Sequence, residues 1–370
     1  MFIKQCHRFF ATASASPVVY PSTVPEVPLP TASAISKLVD FISGHQAIVV
    51  LTGAGISTES GIPDYRSPFI GLYAKDHKPI TYQEFMKNDE RRLRYWMRNF
   101  AGWPRFTSHT PTSMHHLLAE MDKHAVLGRG SQSARLTHRP INGIITQNVD
   151  GLHEKAGSSL VIPMHGQADL VQCSVCRSEM HREAVQDQMI ERNQHLTLLM
   201  EALENEKENV RNVNSNDKER EREREVRPDG DRDLSEQLTA LYDRSTKTPD
   251  NDNGSAIRYF FVEPECTACG NGPIKPMVVF FGENMPTVTR ESIYAAIREA
   301  DAVLVMGSSL VVPSGRRLVE YAHEHCNLPV AIVNAGETSC DNLATLKLSA
   351  RLGDVVEPLR AAFATHSTEM

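Results

Sequence analysis

Short, mostly apolar runs recur along this chain and strongly limit the folds that it can adopt. Runs of this kind occupy residues 47–51, 141–145, 277–281, 302–306 and 329–333, and each leads into a polar or glycine-containing turn. Helical patterns lie between several of them, notably at residues 290–299 and 316–325. Fully apolar strands that alternate with helices are typical of a parallel sheet covered on both faces. We therefore predict an α/β fold with a Rossmann-like, doubly wound parallel sheet, whose ligands bind at the carboxyl ends of the strands.

A helix is predicted immediately before the first of these strands. Apolar residues between Ile35 and Ile42 follow the spacing of three and four that gives a helix one apolar face. Ser33 could cap the start of this helix, and Gly44 could end it.

The size and charge of the chain exclude two broad classes of protein. The 370 residues are 41% hydrophobic and suffice for one large domain or two ordinary ones. All the apolar runs are far shorter than the roughly 20 residues of a transmembrane helix. The net charge of −7 is unlike the basic surface of a DNA-binding domain. We therefore expect no membrane span and no nucleic acid partner.

The amino-terminal residues have the composition of a mitochondrial transit peptide. They include Lys4 and Arg8, are rich in Ala, Ser and Thr, and contain no acidic residue before Glu26. Five prolines between residues 17 and 30 then indicate an extended linker. We interpret residues 1–30 as a transit peptide with a Pro-rich linker and expect the mature protein in the mitochondrial matrix. The alternative is a disordered tail whose composition arose by chance.

A polar segment at residues 184–256 does not fit the alternating pattern of strands and helices. It contains the charged run KEREREREVR at 218–227 and the turn-rich run PDNDNGS at 249–255. Because few apolar residues are available to dock it, we predict a mostly exposed, disordered insertion. Its charged surface could bind another protein.

Two Cys-x-x-Cys pairs flank this insertion and predict a metal site. The pairs are Cys173 with Cys176, and Cys266 with Cys269. Four thiolates from two such pairs match a closed, tetrahedral zinc site of structural type. Either pair alone could be a redox motif, but neither follows a strand that leads into a helix. We predict one structural zinc ion in a small module within residues 166–280.

A glycine-rich turn follows the first apolar strand. Gly53, Ala54, Gly55 and Ile56 can bring backbone NH groups close to a phosphate. The dehydrogenase fingerprint requires a further glycine three residues later, where this chain has Thr58. A hydride-transferring Rossmann enzyme is therefore a poor fit.

Longer motifs resemble those of the sirtuins, the NAD-dependent protein deacylases, and occur in the same order. They are GAGISTESGIPDYRS at 53–67, TQNVDGLHEKAG at 146–157, His165-Gly166, Gly307-Ser308-Ser309 and Asn334-Ala335-Gly336. DYR at 64–66, AKDHKPI, RYWMRNF at 94–100 and LKLSARLGD are similar to the class II mitochondrial branch. The resemblance covers about residues 31–360, apart from the insertion, and implies that residues 31–370 form one catalytic domain.

The resemblance also implies a set of site residues for NAD. His165 would be the base that deprotonates a ribose hydroxyl, and Asn148 and Asp150 would position nicotinamide and water. Leu352 replaces a family cysteine, so a backbone contact to adenine would survive but a thiol role would not. The implied cofactor-binding residues are Gly53, Ala54, Gly55, Ile56, Asp64, Tyr65, Arg66, Tyr73, Gln147, Asn148, Asp150, Gly307, Ser308, Ser309, Asn334, Ala335, Gly336 and Leu352.

Less specific explanations exist for several of these residues. A single histidine is often a satisfied core residue, although the position of His165 between the NVDGLH and CSVC motifs argues against that explanation. Gln147, Asn148 and Asp150 could each cap the turn that ends a strand.

Substrate contacts are implied at two edges and in one helix. Phe281 and Gly282 on one side, and Val312 on the other, resemble the family edges that hold an acyl-lysine peptide as an added strand. Tyr95 and Arg98 stand three residues apart on a predicted helix and could together hold an acidic acyl group. The alternative is a surface arginine beside a core tyrosine.

The resemblance therefore implies an NAD-dependent protein lysine deacylase that transfers the acyl group to ADP-ribose and releases nicotinamide. Its substrates would be acylated lysine side chains of mitochondrial proteins. One alternative is a mitochondrial protein ADP-ribosyltransferase or a lipoamidase. A second is a non-catalytic scaffold that senses NAD.

Overall fold

The structure is a computed structural model that describes residues 27–64, 79–122, 138–197 and 261–364. Residues 1–26, which include the predicted transit peptide and the first part of the Pro-rich linker, lie outside these ranges, as do residues 65–78, 123–137, 198–260 and 365–370. Within the described ranges, no helix combines the length and hydrophobicity that crossing a membrane requires.

Six parallel strands form the main sheet in the spatial order β3-β2-β1-β7-β8-β9. This confirms the predicted doubly wound α/β fold. The strand order reverses between β1 and β7, because β2 follows β1 on one side of this pair and β8 follows β7 on the other side. A crevice at the carboxyl ends of the strands is expected at this point. The strands are β1 Ile48–Thr52, β2 Ile141–Thr146, β3 Val161–Pro163, β7 Ala302–Met306, β8 Val330–Val333 and β9 Leu346–Leu348.

Helices cover both faces of this sheet, because alternate side chains of each strand point to opposite sides. Ile48 and Val50 of β1 pack into one buried cluster, and Val49 and Leu51 pack into another. The first cluster includes residues of α1 Ala32–Ser43, α4 Ser113–Met121 and α9 Leu352–Phe363, and the second includes residues of α7 Thr287–Arg298 and α8 Pro313–Glu324.

The first helix begins slightly earlier than its sequence predicts. Thr31, not Ser33, is the N-cap of α1, because the Thr31 side chain accepts a hydrogen bond from the Ala34 NH. Gly44 ends the helix as expected. Both residues can cap a helix, and the prediction of Ser33 was wrong by two positions.

A second, three-stranded antiparallel sheet has the order β5-β4-β6 and corresponds to the predicted small module. Its strands are β4 Gly166–Cys173, β5 Glu179–His181 and β6 Ile274–Val278. The expectation that residues 277–281 form a strand of the parallel sheet was therefore wrong. Side chains of β6 alternate between buried and partly buried, as in a strand that packs on one face.

The first part of the predicted polar insertion is folded. Arg182–Arg192 forms helix α6, and Val185, Met189 and Leu196 are buried in the core of the small module. A few apolar residues at helical spacing thus suffice to dock this segment, and its predicted disorder is wrong for residues 184–197. The remaining short helices are α2 Tyr82–Lys87 and α5 Leu152–Lys155, and the long helix α3 is Asp89–Ser108.

The two described ends that flank residues 198–260 are hydrogen-bonded to each other. The Asn193 side chain donates to the Val262 carbonyl oxygen at 2.9 Å and accepts from the Val262 NH at 2.7 Å. Asn193 is buried, and Phe261 beside it is buried against the ring of Phe100. The two described segments are therefore fixed to each other at this place in the small module.

Candidate active site

Two glycine-containing loops meet where the strand order of the main sheet reverses. The Gly55 NH donates to the Gly307 carbonyl oxygen at 2.8 Å. A Cβ atom on Gly55 would lie 2.8 Å from the Gly307 Cα, and Gly307 has a positive φ of 64°. A side chain at either position would separate the loops or strain the backbone. Glycine is thus required here for the close approach of two backbones.

These loops form one wall of a cavity of about 700 Å³. Most of the predicted site residues line it. From the predicted cofactor set, the cavity is lined by Gly53, Ala54, Gly55, Asp64, Gln147, Asn148, Gly307, Ser308, Ser309, Asn334, Ala335, Gly336 and Leu352. His165 and the predicted substrate residues Phe281, Gly282 and Val312 also line it.

The other predicted site residues lie elsewhere. Ile56 is buried in the hydrophobic core, and Asp150 is not among the residues that line the cavity. Tyr65, Arg66 and Tyr73 fall outside the described residues, so their NAD contacts remain predictions.

Asn148 and Asp150 are joined through a serine that the sequence analysis did not single out. The Asn148 side-chain NH₂ donates to the Ser57 Oγ at 3.1 Å and to the Gly53 carbonyl oxygen at 3.2 Å. Ser57 in turn donates to the Asp150 carboxylate at 2.7 Å. Because the Asn148 NH₂ group points towards these acceptors, its orientation relative to the cavity is fixed.

Burial raises the pKa of the Asp150 carboxyl above its usual value. Hydrogen bonds from the Leu152 NH and from Ser57 act in the opposite direction, since they stabilise the carboxylate. Asp150 therefore combines a desolvated carboxyl with two donors that favour its charged form.

His165 lies at the start of β4 and is held at both ring nitrogens. Its Nδ1 is 2.9 Å from the Gln147 carbonyl oxygen, and its Nε2 is 3.0 Å from the Ser314 Oγ. Burial lowers the pKa of His165, so the ring is neutral at neutral pH. A neutral imidazole beside a cavity can serve as a general base.

Gln147 connects this histidine to the glycine loops. Its side chain donates to the Ser308 Oγ at 2.7 Å and to the Thr52 carbonyl oxygen at 3.3 Å. The backbone carbonyl oxygen of Gln147 lies next to His165 Nδ1. The ends of β1, β2 and β7 and the histidine are thereby held as one unit.

A buried pair of histidines lies beneath the site. The His115 and His153 rings are 4.7 Å apart between centroids, and His153 Nε2 is 2.9 Å from the Thr52 Oγ1. Burial lowers the pKa of His115 to about 2 and that of His153 to about 4. Both rings are therefore neutral in the folded protein.

We expect this pair to make the protein sensitive to acid. An unfolded histidine has a pKa of about 6.5, so below that pH the unfolded state binds more protons and the free energy of unfolding falls. The His153 contribution is complete above pH 6.5 and is lost as the pH falls towards about 4. Urea unfolding at several pH values should show a shallower acid dependence for His153→Gln than for the wild type. His116→Gln, at an exposed position of α4, is the matched control, and equal slopes for all three proteins would contradict this explanation.

The four predicted metal ligands come together in the small module. Their Sγ atoms all lie within 4.8 Å of one another. Cys173 is 3.7 Å from Cys269 between sulfurs, and Cys176 is 3.5 Å from Cys266. Four sulfurs at about 2.3 Å from one zinc ion would be about 3.8 Å apart, so this donor set fits tetrahedral zinc. With four thiolates, such a site has no open position for a reacting molecule.

Phe281 and Val311 mark two edges of the cavity with exposed apolar side chains. Their exposed fractions are 47% and 48%. The segment that carries Phe281 is held by Glu283, which accepts from the Phe280 NH at 2.9 Å and pairs with Lys275 at 3.0 Å. An extended peptide placed between these edges would meet apolar side chains on both sides.

Tyr95 and Arg98 do not line the cavity among the described residues. Tyr95 is buried against the rings of Phe85, Trp96 and Phe280, with centroid distances of 5.3, 5.8 and 5.4 Å. This environment is that of a core tyrosine. Arg98 is partly buried on the same helix, α3.

Comparison with known proteins gives a consistent result. The model of the Sir2 family matches residues 53–314. The NAD-dependent protein deacylase Sirt4 of Drosophila melanogaster is 36% identical over 360 residues, which are 97% of each chain. The human NAD-dependent protein lipoamidase sirtuin-4, mitochondrial, is 38% identical over 334 residues, covering 90% of this chain and 88% of the relative. A solved complex of Sir2 with a p53 peptide and NAD⁺ has a TM-score of 0.57 at 24% identity, covers 88% of this chain and 97% of that one, and supports the fold.

Proposed function

The chain belongs to the Sir2 family, and on that basis we propose that it is an NAD-dependent protein lysine deacylase. The observation that carries this proposal is a single cavity lined by the glycine loops, Asn148 and the neutral His165. A metabolic sensor without catalysis would not require a desolvated base at that place. The relatives that share this chain's length carry the names deacylase and lipoamidase.

When bound, NAD supplies the labile bond between nicotinamide and C1' of a ribose. The glycine loops, Ser308, Ser309 and Asn334 would hold the phosphates and the adenosine. Asn148 would orient the nicotinamide end, with Ser57 and Asp150 fixing its side chain. His165 would act as the general base for a ribose hydroxyl of the bound NAD.

An acylated lysine would enter between the two apolar edges. We propose that its peptide backbone pairs with the segments around Phe281 and Val312 as an added strand. Such pairing depends mainly on backbone groups, so the acyl chain and not the peptide sequence would determine selectivity.

The zinc ion would hold Cys173 and Cys176 to Cys266 and Cys269, from which they are separated in the sequence by residues 177–265. We assign it a structural role, because four cysteine ligands complete its tetrahedral coordination. A role of residues 198–260 in binding another protein stays a prediction, as do the mitochondrial transit peptide at residues 1–30 and a location in the matrix. The mitochondrial name of the human relative supports the location.

One experiment distinguishes the proposed deacylation from two related activities. Protein ADP-ribosyltransfer would use the same carbon centre with a different nucleophile, and lipoamide hydrolysis would be deacylation of a longer acyl group. Purified protein is incubated with NAD and peptides that carry acetyl, glutaryl or lipoyl lysine, and all products are weighed by mass spectrometry. O-acyl-ADP-ribose with free lysine peptide supports the proposal. A gain of one ADP-ribose on a protein, without deacylated peptide, supports the transferase instead.

The acyl preference is a separate prediction that rests on Tyr95 and Arg98. If these residues hold a carboxylate, the enzyme prefers acidic or branched acyl groups to acetyl, and Arg98→Ala reduces that preference selectively. Arg94→Ala is a suitable control, because Arg94 lies one turn earlier on α3 and is exposed. The buried position of Tyr95 among aromatic rings instead favours equal rates on acetyl and acidic acyl groups. Equal kcat/KM values on acetyl and glutaryl peptides, unaffected by Arg98→Ala, would remove the pair from the acyl site.

A further inference from the structure

The hydrogen bonds of His165 determine which of its nitrogens carries a proton. A carbonyl oxygen can only accept, so Nδ1 must donate its proton to the Gln147 oxygen, 2.9 Å away. In a neutral ring, Nε2 then has a free electron pair. The Ser314 hydroxyl, 3.0 Å from Nε2, must therefore donate its proton to that electron pair.

Ser314 sits in the first turn of α8, and its hydroxyl makes no helix cap. The N-cap residue of α8 is Val312, with no side-chain capping bond. Ser314 also lines the cavity beside His165. Its hydroxyl therefore lies beside the base in the wall of the cavity, without being needed to start the helix.

From this arrangement, and resting on the proposed deacylase function, we propose that Ser314 relays a proton from the attacking ribose hydroxyl to His165. Ser314 Oγ accepts the proton of that hydroxyl while it gives its own proton to Nε2. The ribose O–H bond breaks, and its electron pair forms the new bond from that oxygen to the acyl carbon. One O–H bond forms and one breaks at Ser314, an N–H bond forms at His165, and the positive charge resides on the imidazolium. Ser314 ends the step as a neutral hydroxyl.

The relay keeps both ring nitrogens hydrogen-bonded before and after the transfer. Before it, Nε2 accepts from Ser314, and afterwards the new Nε2–H donates to the same oxygen. Nδ1 donates to Gln147 throughout. Because His165 is desolvated, a charged ring without a partner would be costly there. If the substrate instead displaced Ser314, the charged ring would lose the Ser314 oxygen as the acceptor for its Nε2–H.

The first test separates the relay from earlier steps. Ser314→Ala should lower the rate of acyl transfer by about 100-fold, within the range usual for general acid–base groups. Exchange of labelled nicotinamide into NAD, which needs no base, should stay close to the wild-type rate. Ser314→Thr retains the hydroxyl and should restore most of the acyl-transfer rate. Alanine is favourable in a helix, so the melting temperature is expected to be preserved.

The second test uses the ligand-free protein. In ¹⁵N NMR spectra, the Nε2 signal of His165 should move in Ser314→Ala towards the value of a pyridine-type nitrogen without a hydrogen bond, and Ser314→Thr should reverse this shift. For the wild-type reaction in mixtures of light and heavy water, two protons in flight should give a curved dependence of the acyl-transfer rate. Ser314→Thr should keep this curvature.

Three results would overturn the relay while leaving the deacylase function intact. They are an active wild type whose acyl-transfer rate is unchanged in Ser314→Ala, an equal fall of acyl transfer and nicotinamide exchange in that variant, and a linear isotope dependence for the wild type. A wild-type protein that forms no deacylated peptide from any acyl substrate would instead contradict the proposed function itself.

Discussion

Replacement of His165 by alanine is expected to lower the rate of acyl transfer by about 10²- to 10⁴-fold, the usual range for loss of a general base. The ring is neutral, its Nε2 carries the free electron pair, and it borders the cavity. Removing it takes away the proton acceptor but leaves the glycine loops and Asn148 in place. Nicotinamide exchange should therefore persist, since it requires binding and cleavage without the base.

The measurement compares single-turnover acyl transfer with nicotinamide exchange in the same preparations. His323→Ala is the matched control, because His323 is an exposed histidine of α8. An acyl-transfer rate in His165→Ala within a factor of about three of the wild type would contradict the assigned role, since a general base contributes far more.

The pH profile of the wild type provides an independent check on this base. Burial lowers the pKa of His165 from the usual 6.5. Above pH 6.5, His165 is therefore in its neutral, active form. The rate of acyl transfer falls only when the pH drops through the lowered pKa of this histidine. A midpoint above 7 would indicate a different group.

Removal of zinc is expected to have the largest effect on stability. The thiolates hold the end of β4 and the turn after it to the segment that precedes β6. Binding free energies of structural zinc sites are about 10–16 kcal/mol at neutral pH, comparable with the whole stability of a domain. Cys266→Ser, or prolonged chelation, should therefore unfold the small module and lower the melting temperature sharply.

Deacylase activity should be lost when the small module unfolds, because β6 continues into the Phe281 edge of the cavity. Zinc content by atomic emission, the thermal transition and deacylation are measured on the same samples. Cys326→Ser is the matched control, since Cys326 is partly buried against the core beside the main sheet and is not a member of the cysteine cluster. A Cys266→Ser protein with one zinc per chain and an unchanged transition would contradict the structural role.

The sequence predicted most of the main sheet because its strands are marked by local apolar runs. The run 302–306 coincides with β7, and those at 47–51 and 141–145 are shifted or shortened by one residue relative to β1 and β2. The run 277–281 was misassigned for a physical reason. An apolar run shows that a strand is buried, but its partners lie far away along the chain and leave no local mark.

The site was predictable to a similar degree. Motif residues such as Asn148 and His165 were found because their neighbours along the chain identify them. Ser57 was part of a quoted motif, but only its 2.7 Å contact with Asp150 shows what its hydroxyl does. Ser314 lies 149 residues from His165, and no sequence spacing indicates that the two side chains meet.

The paired ends at Asn193 and Val262 have a consequence for how this protein can vary. Two hydrogen bonds between the same two residues join the described segments on either side of residues 198–260, so this junction does not depend on how many residues lie between them. Closing a longer or shorter loop changes the free energy by only about 0.6 kcal/mol per doubling of length. This position can therefore gain, lose or exchange whole segments during evolution, or accept an inserted reporter domain, without altering the catalytic framework.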